Sequence, residues 1–169
     1  MEARYIMSTV HLLAGLPCSG KTTYAKSLAA ETKAVHFCLD YWLISLFGRY
    51  SIDAIGHEEH VRRVVACRNL IWESAAEILK RSGDIILDDG FFLRANRMSC
   101  IERAKAAGAE AHIHFLDVPT EIIAARLAAR NADLPDFNFL IEPSLVDQFK
   151  KLFEVPIQEE GATLTRVSS

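Results

Sequence analysis

No apolar run in the 169-residue sequence approaches the roughly 18 residues that cross a bilayer, so a membrane span is not expected. No lysine- or arginine-rich block is present and the formal charge is −3. A protein built to grip a polyanion usually carries a basic surface, so generic nucleic-acid binding loses ground. Cysteine is sparse: Cys18, Cys38, Cys67 and Cys100 are far apart and make no CxxC pair. That argues against a disulfide framework or a zinc site and fits reduced thiols in a cytoplasmic protein. Glycine and proline form no low-complexity tract and no internal repeat. The length suits one domain over 1–169, with no room for a separate substrate domain, so any substrate site must come from loops and helical insertions.

What is present is an ordinary globular balance, 50% hydrophobic and 24% charged, arranged as short strand-like runs alternating with longer helical patterns. Val10–Ala14 reads as a first strand. The apolar stretch that contains it is too short, and too soon followed by glycines, for a signal peptide. A helix over about Lys21–Glu31 follows, then a strand Val35–Leu39 that ends at Asp40. Tyr41–Phe47 leans helical and Gly48–Gly56 reads as a polar turn. Val61–Lys80 has helical spacing, with Val61, Val64, Val65, Ile71, Ala75, Ile78 and Leu79 near one face. The uniformly apolar Ile85–Leu87 suits a central parallel strand. A helix over about Arg94–Ala107, a strand His112–Val118, a helix opening at Pro119, a loop Asn131–Phe139, a helix Pro143–Phe153 and a strand Ala162–Val167 complete the chain. The expected fold is a three-layer α/β sandwich around a five-stranded parallel sheet, with ligands at the C-terminal strand ends.

Gly15-Leu16-Pro17-Cys18-Ser19-Gly20-Lys21-Thr22 fits GxxxxGK(S/T), between a strand and a helix as that motif requires. Its backbone N–H groups would cradle phosphates, Lys21 would reach the β- and γ-phosphates of ATP, and the Thr22 hydroxyl would ligate Mg²⁺. Thr23 extends the loop. Asp88, delivered by the strand Ile85–Leu87, has the placement of a second Mg²⁺-holding group; Asp89 beside it is either a support or a turn residue. Asp40 can accept the proton of an attacking hydroxyl, or it caps the helix from Tyr41. Arg126 and Arg130, at i and i+4, share a face from which they can neutralise transferring phosphate, or they form a solvated basic face. His57-Glu58-Glu59-His60 has the wrong spacing for a zinc helix and reads as a solvated helix start. His112 and His114 read as core or interface residues. Cys18 is either redox-sensitive or a bystander.

With these residues in place, the chain resembles the P-loop kinases of the group that includes AAA-domain proteins, shikimate and gluconate kinases, chloramphenicol phosphotransferase, zeta toxins and 5′-hydroxyl polynucleotide kinases. The likeness runs through Gly15–Thr23, Asp40, Ile86–Phe92, Arg94, Arg97, Val118–Arg130 and Phe153–Glu160. It implies a nucleoside-monophosphate-kinase-like fold with sheet order 2-3-1-4-5, a lid over about 126–139 carrying Arg126, and the Pro156–Gly161 loop near the adenine. Polynucleotide kinases of this type carry an arginine three residues after the catalytic aspartate; here Leu43 stands there. Cys18 replaces a common glycine.

The resulting expectation is an ATP- and Mg²⁺-dependent transfer of the γ-phosphoryl group to a hydroxyl of a small molecule, catalysed by Lys21, Asp40 and Arg126, in a monomer or homodimer. The acceptor site would lie in the helical region 41–82 with Arg94 and Arg97, and Trp42, Phe47, Phe91 and Phe92 either wall it or belong to the core. The alternatives are a polynucleotide 5′-hydroxyl kinase and a nucleotide-dependent binding or regulatory module.

Overall fold

A computed structural model describes residues 7–168; the ends of the expected 1–169 domain, residues 1–6 and 169, lie outside the described residues. Its order is β1 (Thr9–Ala14), α1 (Lys21–Thr32), β2 (Val35–Cys38), α2 (Leu39–Phe47), α3 (Ile52–Ile55), α4 (His57–Leu79), β3 (Ile85–Gly90), α5 (Arg94–Ala106), β4 (Glu110–Asp117), α6 (Thr120–Ala132), α7 (Pro143–Leu152) and β5 (Thr163–Ser168), with a 3-10 turn at Gln158–Glu160. The five strands form one sheet in the order β2-β3-β1-β4-β5, all parallel. The expected architecture and strand order are those observed.

Alternation along the buried strand β1 assigns its two faces. Val10, Leu12 and Ala14 enter the main core with Leu43, Cys67, Ile71, Leu79 and Ile101, under α2, α4 and α5. Leu13 joins Ala25, Ala34 and Ile86 under α1. A third cluster, Ile123, Leu127 and Val146, joins α6 and α7 to Leu16 and Cys18 of the phosphate loop.

Several boundaries differ from the sequence expectation. Strand β2 stops at Cys38 and Leu39 opens α2, because Leu39 and Leu43, four apart, bury together on one helix face. Asp40 therefore sits in the first turn of a helix rather than at the end of a strand. A four-residue helix, α3, occupies the expected polar turn, with the Ser51 hydroxyl accepting from the Ala54 N–H. Helix α4 starts at His57 rather than Val61; Glu58 and Glu59 occupy its first turn, favourable at the positive end of a helix. Its buried stripe is Cys67, Ile71, Ala75 and Leu79. Val61 and Val65, placed near that face from spacing, are 43% and 48% exposed. Strand β3 extends through Asp88 and Asp89 to Gly90, so both carboxylates leave from the strand itself. Helix α6 runs on through Asn131 to Ala132, shortening the loop expected there.

Candidate active site

The phosphate loop spans the gap between β1 and α1. Gly15 has no room for a side chain, because a Cβ there would lie 2.8 Å from Ser19 Oγ and 3.0 Å from the Leu116 carbonyl oxygen. Cys18 adopts φ 60, the left-handed region where a β-carbon costs roughly 1–2 kcal/mol. That is why glycine suits this position in the families the loop resembles. Gly20 precedes α1 at φ 95; no side chain caps the helix and no acidic residue lies in its first turn. The first N–H groups of α1 and the positive end of its dipole are thus left for an anion.

Around this loop the sequence-predicted residues converge. Lys21 Nζ donates to the carbonyls of Gly15 (2.9 Å) and Leu16 (2.7 Å). Burial lowers its pKa, opposed by the charges of Asp88 and Asp40. Thr22 Oγ1 donates to Asp88 Oδ2 at 2.8 Å, pairing two oxygen donors as a hard divalent cation requires. Burial pushes the Asp88 carboxyl up, but hydrogen bonds from His36 and Thr22 and the charge of Lys21 outweigh it and hold the group below its ordinary value. Asp40, by contrast, has no side-chain hydrogen-bond partner among the described residues. Burial and the charge of Asp88, only partly offset by Lys21, raise it to about 6. Its side chain makes no cap hydrogen bond, as the N-cap position belongs to Cys38.

From the other side, Arg126 Nη1 donates to the Ser19 carbonyl at 3.3 Å and lies 3.7 Å from where a Cβ on Gly20 would stand. Arg130 donates to the Phe139 carbonyl at 3.2 Å, and its charge acts on both Lys21 and Asp40. Two buried polar atoms here, Ser19 Oγ and Arg130 Nε, have no partner among the described residues. Orphaned polar atoms beside an uncapped helix start fit a phosphate group, and the Thr22–Asp88 oxygens fit Mg²⁺.

Two cavities lie at the site, one against the loop and one beside Asp88. One, about 510 Å³, runs between α1 and the β4–β5 edge, past Ser19, Gly20, Tyr24, Leu116, Arg126 and Val167. The other, about 210 Å³, lies between α4 and α5 below the ends of β2 and β3; Phe37, Val65, Trp72 and Phe91 give it apolar walls, and Asp88, Asp89, Arg68, Asn96, Ser99 and Arg103 give it polar groups.

Not every expected residue reaches the site. Arg97 is fully buried; its guanidinium forks onto both Glu160 oxygens at 2.6 and 2.7 Å and donates to the Phe91 carbonyl at 3.0 Å. It therefore holds the turn after β3, where Phe91 has φ 45, rather than facing an acceptor. The Pro156–Gly161 loop follows it: Glu160 is tied to α5, and a Cβ on Gly161 would lie 3.2 Å from Lys105 Nζ at the far end of that helix. Its expected place near the adenine is thus corrected. The Arg94 side chain is exposed; its backbone N–H is bound by Glu154. Trp42 packs on Phe37, Phe92 stacks on Phe149 at 4.7 Å, and Phe47 lies under Arg63; of the four aromatics, only Phe91 lines the smaller cavity.

Two further residues at the site are less plain from the sequence. His36 Nε2 lies 3.3 Å from Asp88 Oδ2; a lone histidine on a short strand gives no local signal of this. Arg68 grips Asp89 through two hydrogen bonds of 2.6 and 2.8 Å. It belongs with Val65, Asn69 and Trp72 to a mixed polar and apolar face of α4, which i, i+3, i+4 spacing can reveal.

A parallel 2-3-1-4-5 sheet with this loop at the centre is the P-loop nucleotide-binding fold of small kinases. The chain belongs to the AAA domain family, whose sequence profile matches residues 10–156. Among curated proteins, none matches. Among solved structures, a protein of Chloroflexus aurantiacus provisionally classed as a kinase is 17% identical, with a TM-score of 0.75 over 96% of this chain and 85% of that one. Chaetomium thermophilum Kti12, solved with ADP-AlF3, is 20% identical at TM-score 0.67, covering 94% and 88%. A sugar kinase from Janibacter sp. is 18% identical at TM-score 0.66, covering 96% and 85%. At these identities the likeness establishes the shared fold.

Proposed function

We propose that the protein is an ATP- and Mg²⁺-dependent phosphotransferase that moves the γ-phosphoryl group to a hydroxyl of a small molecule. The observation that carries this reading is Asp40. A half-buried carboxylate raised to about 6, unbonded and within the electrostatic reach of Lys21, is a general base waiting for a proton donor.

In this reading the Gly15–Thr23 backbone holds the triphosphate, with Pro17, Cys18 and Ser19 shaping the loop. Lys21 exchanges its contacts with the Gly15 and Leu16 carbonyls for the β- and γ-phosphates. Thr22 and Asp88 hold Mg²⁺, which supplies charge neutralisation at the phosphate oxygens. The larger cavity takes the nucleoside between Arg126 and Val167. The smaller one takes the acceptor, whose hydroxyl gives its proton to Asp40 Oδ as its oxygen attacks the γ-phosphorus and the bond to the leaving ADP oxygen breaks. Arg126 and Arg130 stabilise the charge spread over the transferring group. The segment 126–139 acts as a lid. Its tip leans on the 41–82 acceptor region, Arg49 donating to the Pro135 carbonyl at 3.1 Å and Tyr41 meeting Phe137 at 4.7 Å.

A small acceptor is favoured over a nucleic-acid end because Leu43 is a core residue, 2% exposed, and the nearby arginines are engaged. Arg62 and Arg63 bind Glu59, and Arg68 binds Asp89. A cytoplasmic location is part of the same reading, supported by four free cysteines; among the described residues no helix is long and apolar enough to cross a membrane. The test is phosphoryl transfer from ATP to a panel of sugars, sugar acids, nucleosides and aminocyclitols. A product that requires Asp40 supports the assignment, and nucleotide binding without transfer to any hydroxyl in wild-type protein would overturn it.

A further inference from the structure

The face of the sheet under α1 holds a cluster that phosphoryl transfer does not use. His112 and His114 are two apart on β4, and His11 is the register partner of His112 on β1. Side chains two apart on one strand, and opposite each other on paired strands, project from the same face. Three imidazoles are thus brought together under the phosphate-loop helix, their donor atoms all within 4.8 Å of one another.

The hydrogen bonds divide the ring nitrogens into outward and inward sets. His114 Nδ1 lies 2.8 Å from the Tyr24 hydroxyl on α1, and His112 Nε2 lies 2.8 Å from Thr165 Oγ1 on β5. When those outward nitrogens carry protons, His114 Nε2 and His112 Nδ1 are left as lone pairs. Fixing one nitrogen so that the other presents its lone pair is the arrangement that outer hydroxyls and carbonyls impose on metal-bound histidines. His11 Nδ1 meets His114 Nε2 at 2.9 Å. The other His11 nitrogen, Nε2, is buried with no partner among the described residues, and His11 is only 6% exposed. An orphaned nitrogen there carries a desolvation cost that an apolar residue would avoid. A shift of the His11 proton from Nδ1 to Nε2 frees a third lone pair for the cluster without releasing a proton. Burial, with the mutual repulsion of the rings, lowers the pKa of His11 and takes His114 down to about 3; neutral imidazole is the ligating form.

We propose that His11, His112 and His114 bind one divalent transition ion of the Zn²⁺ class. Imidazole suits such ions, and Zn–N bonds of about 2.0–2.1 Å in a tetrahedral site put ligand nitrogens about 3.3 Å apart. Closing this site takes only a small opening of the 2.9 Å His11–His114 contact and an inward turn of His112. Tyr24, which bonds His114, lines the larger cavity, and His112 is the half-buried member of the cluster. The ion would join β1 and β4 directly and α1 through Tyr24.

The test titrates the metal-stripped full chain with Co²⁺, and with Zn²⁺ by competition, under excess Mg²⁺ to fill the Thr22–Asp88 oxygens. One equivalent of Co²⁺ with the visible ligand-field bands of a four-coordinate nitrogen site is expected. That signal should vanish in His112→Ala, weaken about 10–100-fold in Tyr24→Phe, and persist in Asp88→Asn; Zn²⁺ should raise the Tm of wild type and not of His112→Ala. His112 is the least buried of the three, so its replacement disturbs packing least. Should that variant not fold, Tyr24→Phe and Thr165→Val, which keep all three ligands, decide by whether affinity falls. No binding to wild type in excess metal, binding that persists unweakened in these variants, or binding lost only in Asp88→Asn would overturn the site.

Discussion

Lys21 and Asp40 separate binding from chemistry at the level of single side chains. In the proposed function Lys21→Ala removes a charge directed at the phosphates, together with the bonds to the Gly15 and Leu16 carbonyls, and no core contact. ATP-Mg affinity by calorimetry should fall roughly 10–100-fold, the worth of one charge-assisted hydrogen bond, with the thermal melt little changed. Asp40→Asn keeps the shape and removes the basic oxygen. Nucleotide affinity should stay within a few-fold while turnover drops about 10²–10⁴-fold. The same substitution has a stability signature in the nucleotide-free protein. The Asp40 pKa is raised from 3.8 to about 6 on folding, so between those values the folded state binds more protons than the unfolded one. Stability from this group is greatest at acid pH and declines as pH rises through that window. Asp40→Asn should therefore be more stable than wild type at pH 7, by at most about 3 kcal/mol, with the advantage gone near pH 4. Equal melts at both pH values would show that Asp40 is not strained by its charge.

Among the elements, the turn after β3 and helix α5 depend on one buried ion pair. Arg97 and Glu160 are both 0% exposed at their side chains, and Glu160 also accepts from the Ile157 N–H. Arg97→Met leaves an uncompensated buried carboxylate and should cost about 3–5 kcal/mol in urea unfolding. Arg97→Met/Glu160→Leu should recover part of that loss, leaving the Phe91 carbonyl and Ile157 N–H without these partners; additive losses in the double variant would show that the pair is not coupled. This pair also marks the limit of what the sequence discloses. The phosphate loop is legible because its residues are contiguous and framed by a strand and a helix, and Asp88 because it rides on an apolar strand. Arg97 read as an acceptor contact because its partner stands 63 residues away, where no periodicity reaches. Asp40 was identifiable as a candidate, but its place on α2 depends on Leu39 and Leu43 packing against the core, a tertiary effect. Apolar spacing alone puts Val61 and Val65 on the buried face of α4 because it does not say where the core ends.

For the molecule as a whole, charge distribution argues about the partner. The net charge is −3, and the arginines along α4 that could have formed a strand-binding channel are spent on Glu59 and Asp89. A nucleic-acid acceptor would have to displace those carboxylates, and its affinity would fall steeply with salt as phosphate contacts release counterions. A neutral or singly charged acceptor held in a cavity of about 210 Å³ exchanges few ions, so its kcat/KM should change little with ionic strength. Side-by-side transfer from labelled ATP to 5′-hydroxyl oligonucleotides and to small hydroxyl compounds, at low and at physiological salt, makes the comparison. Product on the small compounds, retained at physiological salt and abolished by Asp40→Asn, is the expected result. Efficient labelling of oligonucleotides that collapses with salt would show that the engaged arginines release their carboxylates for a phosphate backbone. The acceptor would then be a strand end reached through the same Asp40.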